Sequence, residues 1–282
     1  MRIAILIHIH TNVDQVMRLV NKLQHPDADV YINVDAKVAI KPFEESIDKA
    51  YFLRNRVEVT WGRFSQVQQI LNSFAEIISL GKDYSHILFI SGQDYPVMPI
   101  NKVIEQHQRN PENSFISHFK LGNDDWSLLM RKRYEYWQFL PTNDIRNNKY
   151  VKKILLKLGY KRKYPFPDAY YGACWFSLTI ESIKYLLNYT ENNPHVVSFF
   201  HQTGCADELY VQSVLLNSPL KCKMINEIYR YFDWNDKGKS PRILTKEDFN
   251  TIKNSNAWFA RKVDSRIDSD LLDLLDTINV EK

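Results

Sequence analysis

The sequence predicts an α/β protein: a single domain over residues 1–282 with a mostly parallel central sheet flanked by helices. Three observations carry this. Apolar runs alternate with amphipathic stretches through the first 110 residues, as βα units do. Those runs are apolar throughout, which suits strands buried on both faces. Composition is ordinary for a globular chain, 44% hydrophobic and 25% charged in 282 residues.

Arg2 to Ile9 reads as the first buried strand. Val13, Val16, Met17 and Val20 then repeat at helical spacing, so a helix runs to Leu23. Asp29 to Val34 is the second strand and closes on Asp35, and Val57 to Thr60 is the third. A second amphipathic helix covers Phe64 to Leu80, a further strand Ser85 to Ile90, and a helix Ile100 to His107. Beyond residue 110 the strongest helices are Glu181 to Tyr189, Glu208 to Leu216 and Asp270 to Thr277. No repeat, low-complexity stretch or linker divides the chain. In a parallel sheet the ligand sits beyond the carboxyl ends of the strands, which is where Asp35 and Asp94 fall. That edge is therefore where the chemistry is expected, and residues 1–110 and 111–282 read as two halves of one domain.

Several function classes are excluded. No two of the eight glycines lie closer than Gly81 and Gly92, so neither G-x-G-x-x-G nor G-x-x-x-x-G-K can exist. Dinucleotide-binding Rossmann enzymes and P-loop NTPases drop out in their usual form. The three cysteines, Cys174, Cys205 and Cys222, include no C-x-x-C, so no zinc or redox site and no cofactor is expected. A net charge of +4 is too small to argue for nucleic acid. No apolar run reaches the roughly 18–20 residues that span a bilayer. A reduced cytoplasmic setting is expected, at most peripheral at the inner face of a membrane.

Four segments could carry chemistry. Asp94 ends the strand Ile87-Leu-Phe-Ile-Ser-Gly-Gln-Asp94, where many sugar-nucleotide transferases place a D-x-D pair on a divalent cation. Its neighbours are Gly92, Gln93, Tyr95 and Pro96, so the second carboxylate is missing, and one alone is a thin cation site. The literal Asp268-Ser-Asp270 reads as a helix cap with first-turn acid. No metal site is expected. Asp207-Glu208 opens an apolar helix, either as dipole compensation or as a positioned general base. Basic clusters at Arg242 and at Phe259-Ala-Arg-Lys262 could clamp a diphosphate or simply be solvated. Aromatic-rich segments beside charge, Arg131 to Trp137 and Tyr229 to Trp234, suit sugars as well as a core.

Taken in order, these segments resemble the core-2/I-branching β-1,6-N-acetylglucosaminyltransferase family, which also holds the peptide O-xylosyltransferases. The blocks are the opening strand ending in His10; Tyr31-Ile-Asn-Val-Asp35; Trp61-Gly-Arg-Phe-Ser65; Ile90-Ser-Gly-Gln-Asp-Tyr-Pro96; Lys132-Arg-Tyr-Glu135; Gly172-Ala-Cys-Trp-Phe-Ser-Leu178; Asp207-Glu208; Asn217-Ser218; and Phe259-Ala-Arg-Lys262. The resemblance implies a GT-A-like fold and an inverting transferase without D-x-D or metal. It implies Glu208 as catalytic base, Arg242 and Lys262 on the donor diphosphate, and Asp35 with His8 and His10 at the uridine. Glu135, Asp94, Tyr229, Tyr231 and Trp175 would meet the acceptor or sugar.

The expected activity is therefore transfer of N-acetylglucosamine or xylose from a UDP-sugar to a saccharide hydroxyl, in bacterial-type surface polysaccharide assembly. The rival class is a non-catalytic nucleotide-sugar or carbohydrate-binding protein on the same fold. A glycoside hydrolase would need two carboxyl groups about 5–9.5 Å apart. Residues 146–163 hold eight basic residues and no acidic one, with Val151, Ile154, Leu155 and Leu158 at helical spacing. Such a basic amphipathic helix either docks on the protein body or meets an anionic membrane, where a lipid-linked acceptor would wait.

Overall fold

The computed structural model describes residues 1–139, 145, 148–234 and 240–278, with the side chains at 152 and 156 outside that description. The strands among the described residues are β1 (Ile3–Ile9), β2 (Ala28–Val34), β3 (Tyr51–Phe52), β4 (His86–Ser91), β5 (Asp94–Pro96), β6 (Ser114–Ile116), β7 (Phe119–Lys120), β8 (Tyr170–Tyr171), β9 (Phe176–Thr179), β10 (Met224–Ile225), β11 (Arg230–Phe232) and β12 (Phe259–Arg261). The α-helices are α1 (Val13–Lys22), α2 (Lys41–Ser46), α3 (Ser65–Ser79), α4 (Ile100–Arg109), α5 (Asp125–Glu135), α6 (Lys149–Lys157), α7 (Ile180–Asn192), α8 (Pro194–His201), α9 (Tyr210–Leu216), α10 (Phe249–Lys253) and α11 (Ser269–Ile278).

The central sheet runs β10-β6-β9-β4-β1-β2-β3, and only β9 opposes its neighbours. The expected mostly parallel α/β architecture is what the chain adopts. Period-two alternation along β1 explains the two cores. Ile3, Ile5, Ile7 and Ile9 face a layer filled from α1, α4 and α11, while Ala4 and Leu6 face one filled from α3, α7 and α9. Each fully buried isoleucine contributes roughly 1.5–3 kcal/mol, so both faces of β1 are strongly fixed. Because β2 follows β1 on one side and β4 on the other, the chain reverses direction of winding at β1. The crevice beyond its carboxyl end is the ligand position that this topology provides.

A smaller sheet, β11-β12-β5, brings Arg230, Arg261 and Asp94 beside that crevice. A two-stranded ladder pairs β7 with β8. Strands from both sides of residue 110 share the central sheet.

Three expected elements are corrected. Val57 to Thr60 has no ladder partner. It runs past Asp35, where Val57 O accepts from Ala36 N at 3.0 Å, and the edge strand is instead Tyr51–Phe52. Glu208 does not stand on an α-helix. It ends a 3₁₀ turn, Ala206–Glu208, entered through Cys205 at φ 50°, and α9 starts only at Tyr210. The basic helix spans Lys149–Lys157 rather than 146–163, and Arg146 lies outside the described residues.

Candidate active site

A cavity of about 510 Å³ opens at the carboxyl ends of β1, β2 and β4. Six of the sequence-predicted residues line it: His8, His10, Asp35, Trp175, Glu208 and Lys262. His8 follows Leu6 on the same face of β1, so it points into the α3 layer, edge-on to Phe89 with centroids 4.6 Å apart. Its Nε2 lies 3.1 Å from Ser73 Oγ, and burial pushes the imidazole down to about 3, so His8 is neutral. Burial also lowers His10, less the pull of Asp35. Asp35 Oδ1 accepts from Lys37 N at 2.9 Å, which holds the carboxylate at the end of β2.

On the opposite wall stands Glu208. Arg133 Nη1 and Tyr171 Oη both donate to its Oε2, the tyrosine at 2.5 Å. Among the described residues its Oε1 accepts no hydrogen bond. One oxygen is thus fixed and the other is left for a ligand. Burial and the charge of Glu208 raise the Tyr171 phenol, which therefore stays protonated and keeps donating. Asp207 beside it is buried and lines the same cavity, with Oδ1 unpartnered. Desolvation and then Glu208 raise Asp207 to about 7.

The third wall carries cations. Arg261 and Lys262 both line the cavity. The Arg261 guanidinium lies 4.2 Å from the Trp175 ring centroid, and Arg261 also donates to Ser91 Oγ. Behind them Asp94 is fully buried, 3.0 Å from Arg230 Nε and 3.3 Å from Arg261 Nη1. Arg230 sits 5.2 Å over the same Trp175 ring. Desolvation lowers the Lys262 ammonium, and the neighbouring Arg261 adds to that.

Five expected positions are corrected. Asp94 does not reach the cavity, because it is spent neutralising two arginines. Arg242 is taken by two carboxylates, its Nε 2.7 Å from Asp233 and its Nη2 2.5 Å from Asp248, and it does not line the cavity. The cation that partners Lys262 there is Arg261. Glu135 ends α5 and pairs with Lys161 at 2.6 Å. Arg133, two residues earlier and about 200° away around the helix, is the side chain that reaches Glu208. Tyr229 precedes β11 at φ 47° and stacks flat on Trp258, centroids 4.4 Å apart, and Tyr231 on β11 does not line the cavity. The aromatic residues lining the cavity include Phe232, which alternates with Tyr231 on β11, as well as Trp234 and the 70% exposed Trp61. Asp268 caps α11 through Leu271 N at 3.0 Å, in line with the capping reading. Among the described residues no group of three or more His, Cys, Asp or Glu side chains could hold a metal ion.

Comparison with known proteins sets the class. Mouse Xylosyltransferase 2 is 24% identical over 304 residues, covering 98% of this chain and 33% of that protein. Beta-glucuronosyltransferase GlcAT14B of Arabidopsis thaliana is 24% identical over 301 residues, covering 98% of this chain and 65% of that one. The solved apo form of mouse xyloside xylosyltransferase 1 covers 92% of this chain and 96% of its own, at 10% identity and a TM-score of 0.38. By their names these are glycosyltransferases. A model described as Core-2/I-Branching enzyme matches residues 3–253, and this chain belongs to that family. It spans about a third of the length of the xylosyltransferases it matches.

Proposed function

We propose that the chain is an inverting glycosyltransferase that moves a sugar from a UDP-sugar to a saccharide hydroxyl without a metal ion. The observation that carries the reading is one cavity with a half-fixed carboxylate on one wall and two cations on another. Glu208 Oε1 takes the proton of the acceptor hydroxyl while that oxygen attacks the anomeric carbon. The bond from this carbon to the diphosphate oxygen breaks on the opposite face, and its electron pair leaves with UDP. One displacement inverts the anomeric centre. Arg261 and Lys262 meet the charge that develops on the diphosphate, and preorganised cations are worth most in such a partly closed site. Arg133 and Tyr171 hold the base oriented. Asp35 and His10, at the ends of β2 and β1, supply the edge that faces the uridine. Xylose, N-acetylglucosamine and glucuronic acid are the donor sugars to try, two of them transferred by the named relatives.

The test is Glu208→Gln in a UDP-release assay across these donors and simple saccharides. A general base contributes roughly 10²–10⁴-fold, so turnover should fall by that much while UDP still raises the melting temperature. Near-normal turnover removes Glu208 as base. UDP binding without release from the parent chain under any pairing would leave the binding protein as the reading.

A further inference from the structure

The chain's basic surplus is concentrated in one place. Residues 146–163 hold eight of the 37 basic side chains and none of the 33 acidic ones. The other 264 residues therefore carry 29 basic against 33 acidic, a net −4, while these eighteen carry +8. The segment is also tied to the body at one end. Lys161 pairs with Glu135 at 2.6 Å, Arg162 Nη1 donates to Gln202 O at 2.9 Å, and Tyr160 stacks on Trp137 with centroids 5.6 Å apart.

What remains outside is a two-row face on α6. Tyr150, Ile154 and Leu158, four residues apart, are 65%, 56% and 76% exposed, although Val151 and Leu155 beside them are half-buried. Lys149, Lys153 and Lys157 form the adjoining exposed row. Apolar side chains this large, lined up rather than scattered, mark an interaction surface. Lysine stems can lie along an apolar boundary while their ammonium groups reach phosphate. A bilayer presents that pairing, a plane of anionic phosphate over hydrocarbon, to a helix lying in the interface. Among the described residues no helix is long and apolar enough to cross a membrane.

We propose that the α6 face made by residues 149, 150, 153, 154, 157 and 158 docks on an anionic phospholipid surface. The docked helix and the Glu208 carboxylate then share α5 as a support, since Glu135 holds Lys161 and Arg133 holds Glu208. A membrane-borne acceptor would be delivered beside the base. The contact goes beyond the transfer reaction and is read without it.

The experiment is co-sedimentation of the full chain with vesicles of phosphatidylcholine alone, or of phosphatidylcholine and phosphatidylglycerol at three to one. Pelleting is expected with the anionic vesicles only, and should be released by 0.5 M salt through screening, about 4 Å being the Debye length there. Each lysine near the surface is worth roughly fivefold, so Lys149→Gln/Lys153→Gln/Lys157→Gln should bind about a hundredfold more weakly. Ile154→Ser/Leu158→Ser should also stay in the supernatant, with far-UV circular dichroism and melting temperature unchanged from the parent. No pelleting with anionic vesicles overturns the proposal. So does equal pelleting of parent and variants, or equal pelleting on neutral lipid. Loss in the lysine variant with the serine variant unaffected also overturns the two-row face, since charge alone would then hold the chain on anionic lipid.

Discussion

At the scale of single residues, the acid pair divides its labour by environment. Glu208 has Arg133 and Tyr171, whereas Asp207 has a buried Oδ1 without a partner. With Asp207 raised to about 7 from 3.8, the folded chain holds a proton that the unfolded chain has already released. Between about pH 4 and pH 7 the native state binds more protons, so this group's contribution to stability falls as pH rises, and it levels off above 7. Asp207→Asn removes the dependence. The variant should gain roughly 2–4 kcal/mol over the parent in urea unfolding at pH 8, and little at pH 4.5. An offset that does not change between those pH values would contradict a buried, protonated Asp207. That six of the expected residues share one cavity is legible from the sequence because motif blocks place them at strand ends and turns. Arg242 is instead held away from the cavity by Asp233 and Asp248, only nine and six residues away. A basic residue flanked by two acids at loop distance is a candidate for local pairing before it is a candidate for phosphate.

At the scale of elements, phase separates Tyr231 from Phe232 and Glu135 from Arg133. Choosing Tyr231 over Phe232 is a slip of one residue on β11, which turns to the opposite face of the strand. Choosing Glu135 over Arg133 makes the corresponding slip on α5. Motif blocks tell which element approaches the cavity; only the fold tells which face does. Gly172 shows the same dependence on backbone. A Cβ there would lie 1.9 Å from Ser117 O, and Gly172 N donates to Glu208 O at 2.9 Å, so β8 runs against two backbones at once. Gly172→Ala must push β8 away and carry Tyr171 with it. It should cost about 1–3 kcal/mol in denaturant unfolding, the usual range for overpacking, and depress UDP release further than stability alone explains. Gly122→Ala is the control, its Cβ meeting nothing nearer than Asp124 Oδ2 at 3.5 Å, and it should fall within about 0.5 kcal/mol of the parent. Equal stability of the two variants would mean that β8 has room the structure does not show.

At the scale of the whole molecule, the cavity exists because two sheets meet. The parallel sheet delivers His8, His10 and Asp35, and the small sheet delivers Arg261 with Lys262 just beyond its end. The alternation of strands and helices made the first sheet readable in advance. The second was not, since β5, β11 and β12 are three-residue strands from distant parts of the chain, too short to show a period. Its consequence is that the two cations differ in what they hold up. Arg261 compensates the fully buried Asp94 together with Arg230, so Arg261→Gln should lower the melting temperature of the ligand-free protein as well as its affinity for UDP. Lys262 has no ion-pair partner among the described residues, and burial already disfavours its charge. Lys262→Gln should therefore leave the ligand-free melting temperature near the parent's and weaken UDP alone. A charge-assisted hydrogen bond is worth roughly 1.5–3 kcal/mol, which corresponds to about 10–150-fold in Kd. Thermal shift against a UDP titration, run with and without EDTA, reads all of this at once, because a ligand of the native state raises the melting temperature by mass action. Parent and variant curves should be indifferent to EDTA. A UDP-dependent shift that EDTA abolishes and Mn²⁺ restores would mean that a divalent ion, and not the pair Arg261 and Lys262, carries the diphosphate.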